Sequence, residues 1–292
     1  MSSVKTILIT GASGQLGSEF KALSASFAQY NFVFTDKEDL PIDDIAAVKF
    51  FFEQHNISYC INCAAYTAVD KAETEKETAF LINATAAGNL AAVCKMFDAS
   101  FVHISTDYVF DGNGTKPYKE TDTTNPVNIY GFTKLKGEEL VLQQNANAVI
   151  IRTSWVYSRF GNNFVKTMLR LMKERESINV VSDQYGCPTY AADLAAAIMH
   201  VIETPLFNSG NHPSIFNYSN DGVISWYDFA VAIKELSGSN CLVNAIATSQ
   251  YPTPAKRPHY SVMDTTLIKD TFGITIPFWR DSLGKCLQLL KQ

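Results

Sequence analysis

The stretch Val4-Lys5-Thr6-Ile7-Leu8-Ile9-Thr10-Gly11-Ala12-Ser13-Gly14-Gln15-Leu16-Gly17 decides the fold. Its first half, Val4–Thr10, is a β-rich apolar run that reads as a buried strand. Three glycines at Gly-x-x-Gly-x-x-Gly spacing follow, and helix-like periodicity resumes at once over Leu16–Ala28. Glycine permits backbone angles and close approaches that a side chain blocks. A helix N-terminus then offers free N–H groups and the positive end of its dipole to a pyrophosphate. Strand, glycine turn and helix together predict a dinucleotide-binding unit, with Gly11, Ser13, Gly14, Gln15, Leu16 and Gly17 as the phosphate loop.

The pattern repeats outward from this unit. Apolar runs at Asn31–Asp36, Ser58–Ala64, Phe101–Ser105 and Ala148–Thr153 alternate with helical stretches at Asp44–His55, Lys71–Phe97 and Tyr130–Gln144. Such alternation predicts an α/β fold, a Rossmann-type doubly wound parallel sheet covered on both faces. The second half is less regular. Helices are expected over Asn162–Glu176, Ala191–Glu203, Ser225–Ser237 (with Ser225 as N-cap) and Arg280–Leu290, a loop over Pro205–Pro213, and irregular chain over 252–258. The expected division is a nucleotide-binding domain at 1–151 and a smaller, mainly substrate-binding lobe at 152–292, with some segments returning to the sheet.

The strand ends carry the chemistry, because ligands in such sheets gather at the carboxyl edge. Asp36 ends the second strand, where an acid meets the adenine ribose and disfavours a 2′-phosphate; Lys37 beside it attracts one, so NADPH and NADH both stay open. Ala64, Ala65, Tyr66 and Thr67 follow the third strand, and Thr106 and Asp107 the fourth. Tyr130 and Lys134 lie four apart at the start of a helix and so share one face. A cation there favours the phenolate and makes the phenol a tuned general acid. The bland readings are a strand-end cap for Thr106, a turn cap for Asp107, a hydrogen-bonded core residue for His103 and lobe packing for Trp155.

A net charge of −5 argues against nucleic acid as a partner, and no apolar run approaches the roughly 20 residues of a membrane span. The N-terminus lacks signal-peptide character. Six scattered cysteines read as reduced thiols, and Cys60 and Cys63, three apart on a strand, point to opposite faces. A cytoplasmic monomer or homodimer is expected.

Gly11-x-x-Gly14-x-x-Gly17, Asn62-Cys63-Ala64-Ala65-Tyr66-Thr67, Ser105-Thr106-Asp107-Tyr108-Val109-Phe110, Tyr130-x-x-x-Lys134, Arg152-Thr153-Ser154-Trp155, Asp183-Gln184-Tyr185-Gly186-Cys187-Pro188-Thr189 and Arg257-Pro258 occur in that order. As a set they resemble the extended short-chain dehydrogenase/reductase superfamily, and within it the nucleotide-sugar 4-keto-reductases. The resemblance implies reduction of the 4-keto group of dTDP-4-dehydro-L-rhamnose by NADPH or NADH, in polysaccharide biosynthesis. It implies Tyr130 as proton donor, Lys134 as the residue that holds the ribose and lowers the tyrosine pKa, and Thr106 as the hydrogen-bond donor to the sugar carbonyl. Trp155 is implied beside the sugar, and Asn163 and Arg257 toward the diphosphate.

The chain departs from the family's pattern at Pro41, where an acid is common. It departs again at Ala192, which leaves Glu19 without a second carboxylate, so no metal is expected. Two other readings stay open here: an epimerase or dehydratase of the superfamily, and a non-catalytic subunit resembling the regulatory subunit of methionine adenosyltransferase. Tyr108 stands where dehydratases carry a second acid.

Overall fold

The structure, a computed structural model, describes residues 4–291; residues 1–3 and 292, at the outer ends of the two expected domains, lie outside it. Five strands from the first half form one sheet: β1 (Lys5–Thr10), β2 (Tyr30–Thr35), β3 (Ile57–Asn62), β4 (Ser100–Thr106) and β5 (Val149–Thr153). A sixth strand, Ile215–Asn217, returns from the second half and pairs with β5. The order is Ile215–Asn217, β5, β4, β3, β1, β2, and every pairing is parallel. Parallel strands must be buried on both faces, and the alternation along each strand shows how. Ile7, Ile9, Tyr59, Ile61, Val102 and Ile151 enter one core; Leu8, Cys60, Phe101 and Ile150 enter the other. Cys60 and Cys63 pack against opposite cores, as their spacing requires.

Helices α1 (Gln15–Leu23), α2 (Ile45–Gln54), α3 (Val69–Ala72), α4 (Lys76–Phe80), α5 (Ala87–Met96) and α6 (Ile129–Gln144) connect these strands. The first helix is shorter than its periodicity suggests, because Ser24 Oγ bonds back to the Lys21 carbonyl and a single 3₁₀ turn follows. The expected helix over Lys71–Phe97 is broken into α3, α4, a π turn at Leu81–Ala86, and α5. The π turn places Asn83 inward, where its amide pairs with both backbone groups of Tyr66 and with Thr133. Lys76–Met96 is long and apolar enough to cross a membrane but is mostly buried within the fold. Pro205–Ser209 is helical rather than loop, with proline in the first turn and Thr204 as its cap.

A third core lies in the remainder of the chain, around Tyr157, Val165, Ile178, Phe229, Trp279 and Leu283. Its helices start as their caps dictate: Asn163 accepts from Lys166 N ahead of Phe164–Glu174, and Ser225 forms a capping box with Asp228 ahead of Trp226–Ser237. Residues 252–258 form no regular element.

Candidate active site

One cavity of about 890 Å³ runs along the carboxyl edge of the sheet. At one end lie Asp36 and Lys37, in the middle Gly11, Gly14, Gln15, Leu16, Gly17, Ala64, Ala65, Tyr66 and Thr67, and at the far end Thr106, Asp107, Tyr130, Lys134 and Trp155. Residues drawn from the ends of five strands and from the starts of α1 and α6 thus share a single space. Of the expected site residues, Ser13, Asn163 and Arg257 do not line it.

The glycine loop is as tight as its composition suggests. A Cβ on Gly11, where φ is +61°, would sit 2.7 Å from Ala64 Cα and N, and one on Gly17 would sit 2.5 Å from the Gly11 carbonyl oxygen. No side chain caps α1, whose N-cap is Gly14. Its first amides and dipole therefore face the cavity uncompensated, and the loop fits a dinucleotide pyrophosphate. Gly17→Ala is expected to raise the dissociation constant for the dinucleotide by about tenfold or more, measured by fluorescence titration, because the loop must open to admit the methyl.

Asp36 departs from expectation in its engagement. Its carboxylate accepts from Ser13 N at 2.9 Å and from the Ser13 hydroxyl, and those bonds together with Lys21 hold its pKa below the usual carboxylate range despite partial burial. Lys37 is exposed on the same wall.

At the far end, Asn128 caps α6 through Gly131 N at 2.8 Å, and Glu73 accepts from Ile129 N. Gly131 allows the helix to lie against Tyr108: a Cβ there would be 2.1 Å from the Tyr108 carbonyl oxygen. These contacts fix Tyr130, whose ring meets Tyr108 edge-on at 5.8 Å. Lys134 points inward instead of along the helix surface. Its Nζ donates to the Ile104 carbonyl at 2.6 Å and lies 3.3 Å from His103 Nε2.

The electrostatics correct the simple picture of a tuned pair. Burial pushes the Tyr130 phenol up to about 12, only partly offset by the Thr106 hydroxyl and reinforced by Asp107. Burial also pulls Lys134 down to about 8, against the pull of Glu138 and Cys63. The Lys134 ammonium is turned onto the Ile104 carbonyl, and burial is the dominant influence on the phenol. Thr106 is the residue that caps the turn at Asp107–Val109, accepting from Tyr108 N, while its hydroxyl donates to Asp107 Oδ1 at 3.0 Å. The cap expected of Asp107 thus falls to its neighbour. Asp107 is buried, its other oxygen has no partner among the described residues, and burial raises its pKa to about 7.

Trp155 has a left-handed backbone, φ +47°, and its indole stacks on Trp226 at 3.6 Å. A side chain on Gly186 would strike that ring at 2.7 Å. Strain of this kind persists only where the surroundings enforce it, and here it presents a flat aromatic pair to the cavity. Trp226 was not legible as a site residue: it follows the Ser225 cap, and only the fold brings it to Trp155. The same holds for Tyr108 and Leu81, which also line the cavity. Asn163, besides its cap, donates to Gln15 Oε1 at 2.9 Å and so braces the loop from behind. Arg257 forms a two-pronged ion pair with Asp70, at 2.6 and 2.8 Å. Glu19 is buried, its carboxylate bonded to Ser158 Oγ at 2.6 Å, and burial raises its pKa.

The chain matches the RmlD substrate binding domain family over residues 5–292. It is 40% identical over 283 residues to a dTDP-4-dehydrorhamnose reductase of Aggregatibacter actinomycetemcomitans, which covers 95% of this chain and 96% of that protein. A crystal structure of a dTDP-4-dehydrorhamnose reductase from Clostridium acetobutylicum superposes with a TM-score of 0.92 at 43% identity, over 98% and 100% of the two chains. The Bacillus anthracis dTDP-4-dehydrorhamnose reductase, solved in complex with NADP, gives 0.90 at 38% identity over 98% and 99%.

Proposed function

The chain belongs to the RmlD substrate binding domain family, and from that membership together with the cavity we infer that it is a dTDP-4-dehydrorhamnose reductase. It is an NAD(P)H-dependent oxidoreductase of dTDP-rhamnose and polysaccharide biosynthesis. The observation that carries the reading is the convergence of Thr106, Tyr130 and Lys134 at one end of a cavity that also takes in the glycine loop. The substrate is dTDP-4-dehydro-L-rhamnose, reduced at C4 to dTDP-L-rhamnose.

The backbone around Ser13, Gly14 and Gln15 would hold the cofactor pyrophosphate, chiefly through the uncapped amides of α1, since Ser13 N is bonded to Asp36, and Ala64, Ala65, Tyr66 and Thr67 would line the cofactor. When bound, the reduced nicotinamide supplies the hydride. Tyr130 gives its proton to the oxygen at C4, and the Thr106 hydroxyl, swung from Asp107, hydrogen-bonds that oxygen as charge develops on it. Lys134, on the same helical face, returns a proton to Tyr130. Trp155 and Trp226 offer a stacking face to the bound sugar nucleotide. We assign Asn163 and Arg257 to positioning its diphosphate, Asn163 through Gln15 and Arg257 from its seat on Asp70. Residues 1–151, with the returning segments, handle the cofactor, and the rest of 152–292 the sugar nucleotide. Dehydration needs a second acid beside Asp107, and Tyr108 occupies that place. The six free thiols fit a reducing cytoplasm. Light scattering of the purified chain distinguishes monomer from homodimer.

The test is loss of 340 nm absorbance when NADPH or NADH is mixed with protein and dTDP-4-keto-6-deoxy-L-sugar made in situ. A folded protein that oxidises neither cofactor overturns the reading. Asp36 is already bonded to Ser13, so its repulsion of a 2′-phosphate is muted, whereas Lys37 is exposed on that wall. NADPH is therefore the expected better donor. Lys37→Glu should raise KM for NADPH about tenfold, the worth of one lost charge contact, and leave KM for NADH nearly unchanged.

A further inference from the structure

A buried hydrogen-bond chain crosses the sheet behind the site. Thr10 Oγ1 on β1 donates to Asn62 Oδ1 on β3 at 2.7 Å; Asn62 Nδ2 lies 3.0 Å from His103 Nδ1 on β4; His103 Nε2 lies 3.3 Å from Lys134 Nζ on α6. All four side chains are at most 2% exposed. The chain has a direction. Ala64 N donates to Asn62 Oδ1 at 3.2 Å, and a backbone amide can only donate, so the amide oxygen of Asn62 is fixed on that side. Its NH₂ must then face His103 and donate, which leaves His103 Nδ1 bare. Burial and the neighbouring Lys134 keep this imidazole neutral, with its pKa well below the ordinary value. A neutral ring with a bare Nδ1 carries its proton on Nε2, the atom aimed at Lys134.

We propose that His103, held by Asn62 as the Nε2–H tautomer, is a positioning residue that acts through Lys134 by stabilising its neutral amine. An N–H aimed at Nζ opposes an ammonium and favours an amine that accepts from it, while Nζ keeps its bond to the Ile104 carbonyl. The inference rests on the reductase reading. In that reaction Tyr130 loses its O–H proton to the oxygen at C4. An N–H bond of Lys134 then breaks, its proton is relayed through water to complete a new O–H bond on the phenolate, and the amine later regains a proton from water. His103 makes the amine intermediate easier to reach. Asn62 satisfies Nδ1 alone; the buried Nε2–H needs an acceptor, and Lys134 Nζ, which stands 3.3 Å from it, can accept only as the neutral amine. The other titratable groups that act on Lys134 are Cys63 from the end of β3 and Glu138 on its own helix. The Cys63 thiol is pushed far above its ordinary range by burial and stays neutral.

Two measurements test this. The first needs no turnover: long-range ¹H–¹⁵N NMR of the whole protein, with His103 assigned by its absence in His103→Phe. Nδ1 unprotonated and Nε2 protonated between pH 6 and 9 is the expected result; a protonated Nδ1 overturns the proposal, whatever the enzyme does. The second is the pH profile of kcat. Turnover needs the Lys134 ammonium and falls above its pKa. Removing the donor in His103→Phe should move that alkaline limb upward by about one pH unit and lower kcat about tenfold at pH 7, with KM for both substrates within twofold. Asn62→Asp, whose carboxylate recruits the proton to Nδ1, should move the limb the same way and covers the case in which His103→Phe fails to fold. An unmoved limb in a folded variant overturns the proposal. Absence of NADPH oxidation in the wild type, with the expected tautomer in place, would instead overturn the reductase reading and leave the tautomer argument standing.

Discussion

Tyr130→Phe will fold, bind dinucleotide and turn over about 10³-fold more slowly than the wild type, the scale expected when a transition-state proton donor is removed. The ring is held by packing, edge-on to Tyr108, and the start of its helix by Asn128 and Glu73, so deleting one oxygen leaves the scaffold intact. KM should change little and kcat collapse, the signature of an interaction made only in the transition state. Burial holds the phenol near 12, so at neutral pH Tyr130 is fully protonated and ready to donate. The difficulty lies in the phenolate it leaves, which is why the proton returned from Lys134 matters. Normal kcat in Tyr130→Phe would move proton donation to Asp107, the next buried acid at that end, whose pKa near 7 leaves it partly protonated at neutral pH. Steady-state kinetics with NADPH, beside a thermal melt of both proteins, decides it.

What was legible in the sequence follows from what is local. The turn from β1 through Gly11 and Gly17 to α1 needs only its own residues, and its reading survives in the structure. The shared face of Tyr130 and Lys134 is helical arithmetic. Features made by distant pairing were out of reach. The strand Ile215–Asn217 is three residues long and has no signal until β5 offers an edge. The Trp155–Trp226 stack depends on a left-handed backbone that no propensity favours at tryptophan. The direction of the Tyr130 shift differs from the expectation for the same reason. Spacing places a cation on the helical face, but only the packed structure shows Ile104 drawing Nζ aside and burial outweighing the rest. The break in the helix at Leu81–Ala86 likewise answers to Asn83 and Tyr66, not to its own periodicity.

The largest effect on stability should come from Glu138→Ala, one turn beyond Lys134 on α6. Glu138 and Arg152 are each 2% exposed and joined by three hydrogen bonds of 2.7 to 3.2 Å, with Ser105 Oγ donating to the same carboxylate at 2.5 Å. Arg152 completes its shell with the Glu120 carbonyl and lies over the Phe110 ring. Every member sits on an element that carries the site: Ser105 precedes Thr106, Glu138 follows Lys134, and Arg152 precedes the strand end that leads to Trp155. Truncating the acid strands a guanidinium in the core, and breaking a buried pair in this way costs about 3–5 kcal/mol. A chemical denaturation series should register that loss as a lower midpoint at unchanged slope. The pair itself is not the source of the stability. Taking both charges out of water offsets most of their attraction, so Glu138→Leu with Arg152→Met should recover most of what the single change loses. If the double variant is as unstable as the single one, the network's value lies in its hydrogen bonds to Ser105 and Glu120. The activity of the double variant then separates the two roles: a stable protein with a displaced Thr106 would show kcat reduced and KM for the cofactor unchanged.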